Sequence, residues 1–205
     1  MADADSPEQS SAHKQRKPRA SLSDELGALQ EMQLELEAEQ LEIVERHISR
    51  QTIIHGIGEL IVEFQLLETG IRDAISYLVD AGNRDIGLMA TAPLQFREML
   101  AVFRALFYSR IQDGEERAKL RELLRACLVC AERRNAIVHS YWYQDSDGKN
   151  IRLKLSFSSK GEGYRKQSET VVEEVLSGDT NECVRYAVEL TKLMTRNFPG
   201  WLSSA

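Results

Sequence analysis

The strongest constraint on the fold is an apolar stripe of helical period over residues 52–79. Ile54, Ile57, Ile61, Phe64, Leu67, Ile71, Ile75 and Leu78 follow one another at steps of three or four. That spacing keeps them on one side of an α-helix, and so one-sided a helix has to bury that side against other elements. Ala81-Gly82-Asn83 supplies the residues that end it. Glu68 borders the stripe between Phe64 and Ile71, where a carboxylate either sits half-buried and orients an arginine or simply flanks the core.

What this helix packs against can be read further along. Thr91 and Pro93 open a helix running to about Ile111, with Phe96, Leu100, Phe103, Leu106 and Phe107 apolar. Asp113-Gly114 breaks it, and another helix starts near Glu115, carrying Leu120, Leu123, Leu124, Cys127 and Leu128. The period then drops to two: Ile151, Leu153, Leu155 and Phe157 alternate with Arg152, Lys154, Ser156 and Ser158, as in a half-buried strand. Asp145-Ser146-Asp147-Gly148 turns the chain back from 141–143, and Gly161-Glu162-Gly163 marks a second turn before a short returning strand at 164–167. A last helical region begins at Ser168 or Glu169, is interrupted at Ser177-Gly178-Asp179, and closes at Phe198-Pro199-Gly200. The expected fold is all-α, an antiparallel helical bundle over residues 51–198 with a small β-hairpin inserted before the last helical region.

Outside that domain, residues 1–20 are polar and aperiodic, as in a disordered tail, with a basic cluster at Lys14, Arg16, Lys17 and Arg19. Residues 21–50 read as an acidic N-terminal helix with Ser21 or Ser23 as its cap; eight acids and no base lie between Asp24 and Glu45. Leu22, Leu29, Leu36 and Ile43 recur every seven residues, as do Leu34, Leu41 and Ile48, but Gln33, Gln40 and His47 fill the positions that Leu26 opens. Such a helix either docks on the domain or pairs with a second chain. Residues 199–205 form a C-terminal tail. No apolar run approaches a membrane span and the first residues lack a signal peptide, so a cytoplasmic protein without membrane contact is expected. Three cysteines without an export signal argue against a disulfide framework. Cys127-x-x-Cys130 lacks the companions a zinc site needs, so no metal or cofactor is expected.

The net charge of −6 hides a reversal, because residues 117–166 carry 12 basic against 5 acidic side chains. Such a segment either forms solvated faces or offers a local field to a polyanion. Within it lies Arg133-Arg134-Asn135-Ala136-Ile137-Val138-His139-Ser140-Tyr141-Trp142-Tyr143. An arginine can hold a phosphate and a histidine can move a proton near neutral pH, which together are the needs of phosphodiester cleavage. Residues five apart on a straight helix point about 140° away from each other. Arg134 and His139 therefore meet only if the helix loosens or a second copy completes the site.

Arg134-Asn135-Ala136-Ile137-Val138-His139 resembles the R-N-x-x-x-H signature of HEPN domains, the helical domains of many prokaryotic toxin, abortive-infection and CRISPR-associated ribonucleases. The resemblance covers roughly residues 51–198. It implies a metal-independent endoribonuclease, a toxin or defence component, that works on RNA as a homodimer with a composite site. Arg134 and His139 match the family's catalytic pair, and Asn135 its frequent polar neighbour. Arg133, Tyr141 and Glu68 are the supporting candidates. Tyr141 extends the match to R-x-x-x-x-H-x-Y, found in HEPN toxins whose antitoxins modify that tyrosine. Other HEPN domains are interaction modules, and the N-terminal helix would then engage a partner protein.

Overall fold

The computed structural model describes residues 22–157 and 164–201. Among these the protein is mostly helical, with one small antiparallel sheet. The elements are α1 (Leu22–Val79), α2 (Arg84–Thr91), α3 (Phe96–Arg110), α4 (Gly114–Val138), β1 (Tyr141–Gln144), β2 (Asn150–Phe157), β3 (Tyr164–Thr170) and α5 (Glu173–Asn197). The expected tail at 1–20, Ser21, the turn at 161–163 and residues 202–205 of the expected tail at 199–205 lie outside the described residues, while Trp201 of that tail is buried in the core. The chain forms two compact units, Met1–Glu45 and Arg46–Ala205.

Within the second unit, the stripe expected on α1 is the core-forming face. Leu60, Phe64, Leu67, Ile71, Ile75 and Leu78 are all buried, whereas Ile54 and Ile61 are exposed. One core cluster joins Leu67, Ile71, Ile75 and Leu78 to Phe103 and Phe107 of α3, Leu120 and Leu124 of α4, and Leu190 and Met194 of α5. A second gathers Ile53, Leu60 and Phe64 with Cys130 and Ile137 of α4 and Leu176 and Cys183 of α5; Trp142 packs on its edge. All three cysteines are buried. Burial pushes the Cys127 thiol up to about 12, and a hydrogen bond with Cys183, together with burial, pushes Cys130 up as well. Thiols held protonated in this way are packing residues.

Four departures from the expected elements have local causes. The break near residue 50 is absent: α1 is a single helix, with neither proline nor a competing cap in the polar stretch Ser49-Arg50-Gln51-Thr52, and Thr52 Oγ1 bonds back to the Ile48 carbonyl at 3.1 Å. The linker after Asp80 contains α2, because Gly87 lets it press against α1; a Cβ there would lie 2.3 Å from Ser76 Cα. Helix α3 starts at Phe96 and not at Thr91, where Gln95 and Glu98 form a reciprocal capping box. The interruption expected at 177–179 does not occur. Ser177 and Thr180 hydroxyls return to the carbonyls of Glu174 and Leu176, and α5 runs through.

The strand expected at 151–157 and the short return expected at 164–167 join β1 in a three-stranded sheet of order β1-β2-β3. The return runs on to Thr170, so Ser168 and Glu169 are strand residues and the last helix starts at Glu173. Tyr141 pairs with Leu153 and Tyr143 with Ile151, while Arg152 pairs with Glu169. The β1–β2 turn is fixed by Asp145, whose Oδ1 accepts from the amides of Asp147 and Lys149, and by Gly148 at φ +74°. Arg46 and Ser49 of α1 tie the sheet down. Arg46 donates to the Ser146 carbonyl at 2.9 Å, and the Ser49 hydroxyl accepts from Asn150 at 2.8 Å.

Candidate functional site

Helix α4 stays regular to Val138, so the angular argument from the sequence applies without relief. His139 is its C-cap, with φ −96° and ψ 15°, and its amide returns to the Asn135 carbonyl. The next residues lock this end. Ser140 Oγ bonds the Ala136 carbonyl, and the Trp142 indole N–H bonds the Ile137 carbonyl at 3.0 Å. Carbonyls that a helix terminus leaves unpaired are thus satisfied by the residues that start β1. The consequence is a fixed backbone at His139, whose side chain is exposed.

Arg134 points elsewhere. Its guanidinium lies 4.3 Å from the centroid of the Phe64 ring on α1, and Phe64 in turn meets Phe96 of α3 at 4.9 Å. A cation on an aromatic face is held by the ring quadrupole without consuming its N–H donors. Arg134 forms one wall of an open cleft of about 280 Å³, with Ile61, Phe64, Gln65, Glu68 and Arg72 on the α1 side. Glu68 lies in this cleft, but the arginine it orients is Arg72, at 3.1 Å. Arg72 also donates to the Thr91 carbonyl at 2.9 Å, which fastens α2 to α1. His139 is not among the lining residues. Within one chain, therefore, Arg134 and Glu68 come together and His139 stands apart.

The supporting residues divide in the same way. Arg133 turns toward α5 and binds Asp179 at 2.9 Å and Glu182 at 2.7 Å, so its charge is spent on joining α4 to α5. Asn135 is exposed and contributes its carbonyl to the last turn of α4. Tyr141 is 64 % exposed, with Tyr143 beside it on the same face of β1. Val138 and Tyr141, next to His139 in the chain, and Ile61 of the Arg134 cleft are exposed.

Much of the positive charge in residues 117–166 is already paired. Lys119 binds Glu115 and Glu116, Arg125 binds Glu122, and Arg152 binds Glu169 at 2.6 Å. A cleft of about 610 Å³ near the motif, between α4, the sheet and α5, is lined by five carboxylates against Arg133 and Arg152, so it does not suit an anion. Two features were missed in the sequence. One is Arg72 with Phe64 beneath Arg134; the i, i+4 spacing of Glu68 and Arg72 was its only signal. The other is a groove of about 370 Å³ between α3 and α4, rimmed by Arg97, Arg104, Arg121 and Arg125 over a leucine floor. Its arginines come from two helices separated in the sequence, and no single run announces them.

Among the described residues, no three His, Cys, Asp or Glu side chains are grouped to hold a metal ion, and no helix is long and apolar enough to cross a membrane. No protein-family model matches the chain, and neither curated proteins nor solved structures yield a match.

Proposed function

We propose that the protein is a metal-independent endoribonuclease of HEPN type, built on an antiparallel helical bundle and acting as a homodimer in a toxin or defence role. The observation that supports this most is the split of the motif. Arg134 is stacked on Phe64, half-buried, and lines an open cleft, while His139 is exposed at the end of the same helix and its imidazole has no hydrogen-bond partner among the described residues. A two-fold partner supplies a second His139 and a second Arg134, which one chain cannot bring together.

The chemistry then follows from the substrate. RNA carries its own nucleophile beside the scissile phosphate, and DNA does not. One His139 imidazole takes the 2′-hydroxyl proton, and the oxygen forms a bond to phosphorus. The bond from phosphorus to the 5′ oxygen breaks, and the other His139, as imidazolium, gives that oxygen its proton. Arg134 stabilises the added negative charge on the phosphorane. A 2′,3′-cyclic phosphate and a free 5′-hydroxyl result. In the α3–α4 groove, Arg97, Arg121 and Arg125 are each in an ion pair, so a phosphate there would have to compete with Glu122 and Glu132.

The test is incubation with RNA in the presence of a chelator, comparing wild type with His139→Ala and Arg134→Ala. Each substitution is expected to lower the cleavage rate by at least about 100-fold without changing the oligomeric state. A dimeric wild type that leaves RNA intact, or cleavage indifferent to both substitutions, would sink the reading. One observation favours a second reading, a non-catalytic interaction module: the large apolar side chains of residues 26–44 are solvent-exposed. In that case RNA is untouched and a partner protein is bound through α1.

A further inference from the structure

Residues 22–45 belong to a unit of their own and are helical throughout. Along this arm, Leu26, Leu29, Leu36 and Ile43 are 52–62 % exposed, far more than side chains of this size in a packed helix. Their order has a definite register. Leu29, Leu36 and Ile43 are spaced by seven, and Leu26, Gln33 and Gln40 each stand three residues before one of them. These two series lie side by side and make one seam of alternating apolar and amide layers.

We propose that this seam is covered by the same seam of a second copy, in a parallel, in-register, two-stranded coiled coil. Three features select that occupant. First, in-register pairing puts leucine on leucine and glutamine on glutamine, so each amide meets an amide. Antiparallel pairing instead sets Leu29 against Gln40 and Gln33 against Leu36, which buries amides on hydrocarbon. Gln33 already donates one amide hydrogen to Glu37 at 3.1 Å, leaving its oxygen free to accept from the second copy. Second, the acidic charge avoids the seam. Glu31, Glu35, Glu42 and Glu45 fall on the far side of the helix. The flanking positions that face across a parallel pair are Met32 with Glu37 and Glu39 with Val44, so no carboxylate opposes a carboxylate. Third, polar side chains buried in such a seam favour the register in which they meet each other, at some cost in stability, which suits a device that aligns two copies. Leu34 and Leu41 lie well away from the seam and stay open in a two-stranded pair.

A parallel pair brings both chains into their Arg46–Ala205 units from the same end. The arm then holds two copies of the motif at high mutual concentration, whatever affinity the motif surfaces have for each other. The inference does not depend on the ribonuclease reading, since it concerns the arm alone.

Sedimentation velocity on the full chain at micromolar concentration tests it. Wild type is expected at twice the 23.3 kDa chain mass, and its dimer tightens with added salt as the acidic arms are screened. The triple substitution Leu29→Ser, Leu36→Ser, Ile43→Ser is expected to give one chain mass, with the melting of the main unit unchanged. Leu29→Cys and Ile43→Cys, made separately, are each expected to form a disulfide with the same residue of the second copy; the native thiols are buried and do not compete. A monomeric wild type overturns the proposal and assigns the seam to a different protein. So does a dimer that survives the triple substitution, a trimer or tetramer, or cross-linking at only one or neither of the two cysteines. RNA cleavage by the monomeric triple variant would leave the seam intact and count against the composite site instead.

Discussion

The two parts of α1 have much the same apolar content and opposite fates. In residues 46–79, Leu60, Phe64, Leu67, Ile71, Ile75 and Leu78 are at most 1 % exposed, packed on α3, α4 and α5. In residues 26–44 the large apolar side chains stand in solvent, with acids between them. Periodicity alone does not distinguish them, because both read as amphipathic helices. Partners do: the first stretch has three helices of its own chain to bury it, and the second has none among the described residues of its unit. Helicity is therefore a local property of α1, whereas burial is a statement about what else is present.

Four measurements can break or sharpen that contrast. Phe64→Ala removes a ring that is both core and shelf for Arg134, and should cost about 3–5 kcal/mol of unfolding free energy in urea. A loss below about 1 kcal/mol would mean that residues 46–79 are no more committed than residues 22–45. Gly87→Ala forces a methyl against Ser76 backbone and should cost about 1–3 kcal/mol by thermal melting, since neither α1 nor α2 can give way without loosening Arg72 from Thr91.

Glu116 offers a test by pH. Hydrogen bonds from Asn197, and then from Lys119 and Arg196, hold its carboxyl down at about 2. A depressed folded-state value means that the stabilisation is complete above the unfolded carboxylate range and is lost as pH falls from about 4.5 toward 2. Wild type should therefore lose melting temperature over that window more steeply than Glu116→Gln. The variant itself should be about 1 kcal/mol less stable at pH 7, an ordinary value for breaking such bonds. Parallel curves for the two proteins would show that the α4–α5 tie contributes nothing. The smallest effect belongs to the arm: Leu34→Ala should change the unfolding free energy of the main unit by no more than about 0.5 kcal/mol. A larger change would mean that the arm is packed after all.

What the sequence disclosed followed the same division. The core face of α1 was legible because the three-four spacing persists for seven turns and tolerates the polar residues between. The strand pattern at 151–157 was legible because the period changes to two. Places where side chains replace the usual signals were not. Gly178 looks like a break, yet α5 crosses it with hydroxyls of Ser177 and Thr180 bonded to its own backbone. Helix α2 has only eight residues and a glycine in its middle, so it reads as linker until Gly87 is seen against Ser76. At the candidate site, the divergence of Arg134 and His139 was predictable from helix geometry. Phe64 as the seat of Arg134 was not, because 70 positions of chain separate them and no local rule connects the two. Arg133 looked equivalent to Arg134 in sequence. One step of 100° around α4 separates a residue tied to α5 from one that faces an open cleft.

Trp142 has a further consequence beyond closing the end of α4. The chain contains two tryptophans, and they sit in different surroundings. Trp201 is buried in the cluster built on α1, α3, α4 and α5, while Trp142 is half-buried, three residues from His139, with its indole hydrogen bonded to Ile137. The molecule thus carries two optical reporters with separate addresses. Trp201→Phe leaves an emission that answers to the helix end holding His139, and Trp142→Phe leaves one that answers to the main core. Ligand engagement at the motif can then be watched as a colour change in the first protein and silence in the second, with no label added.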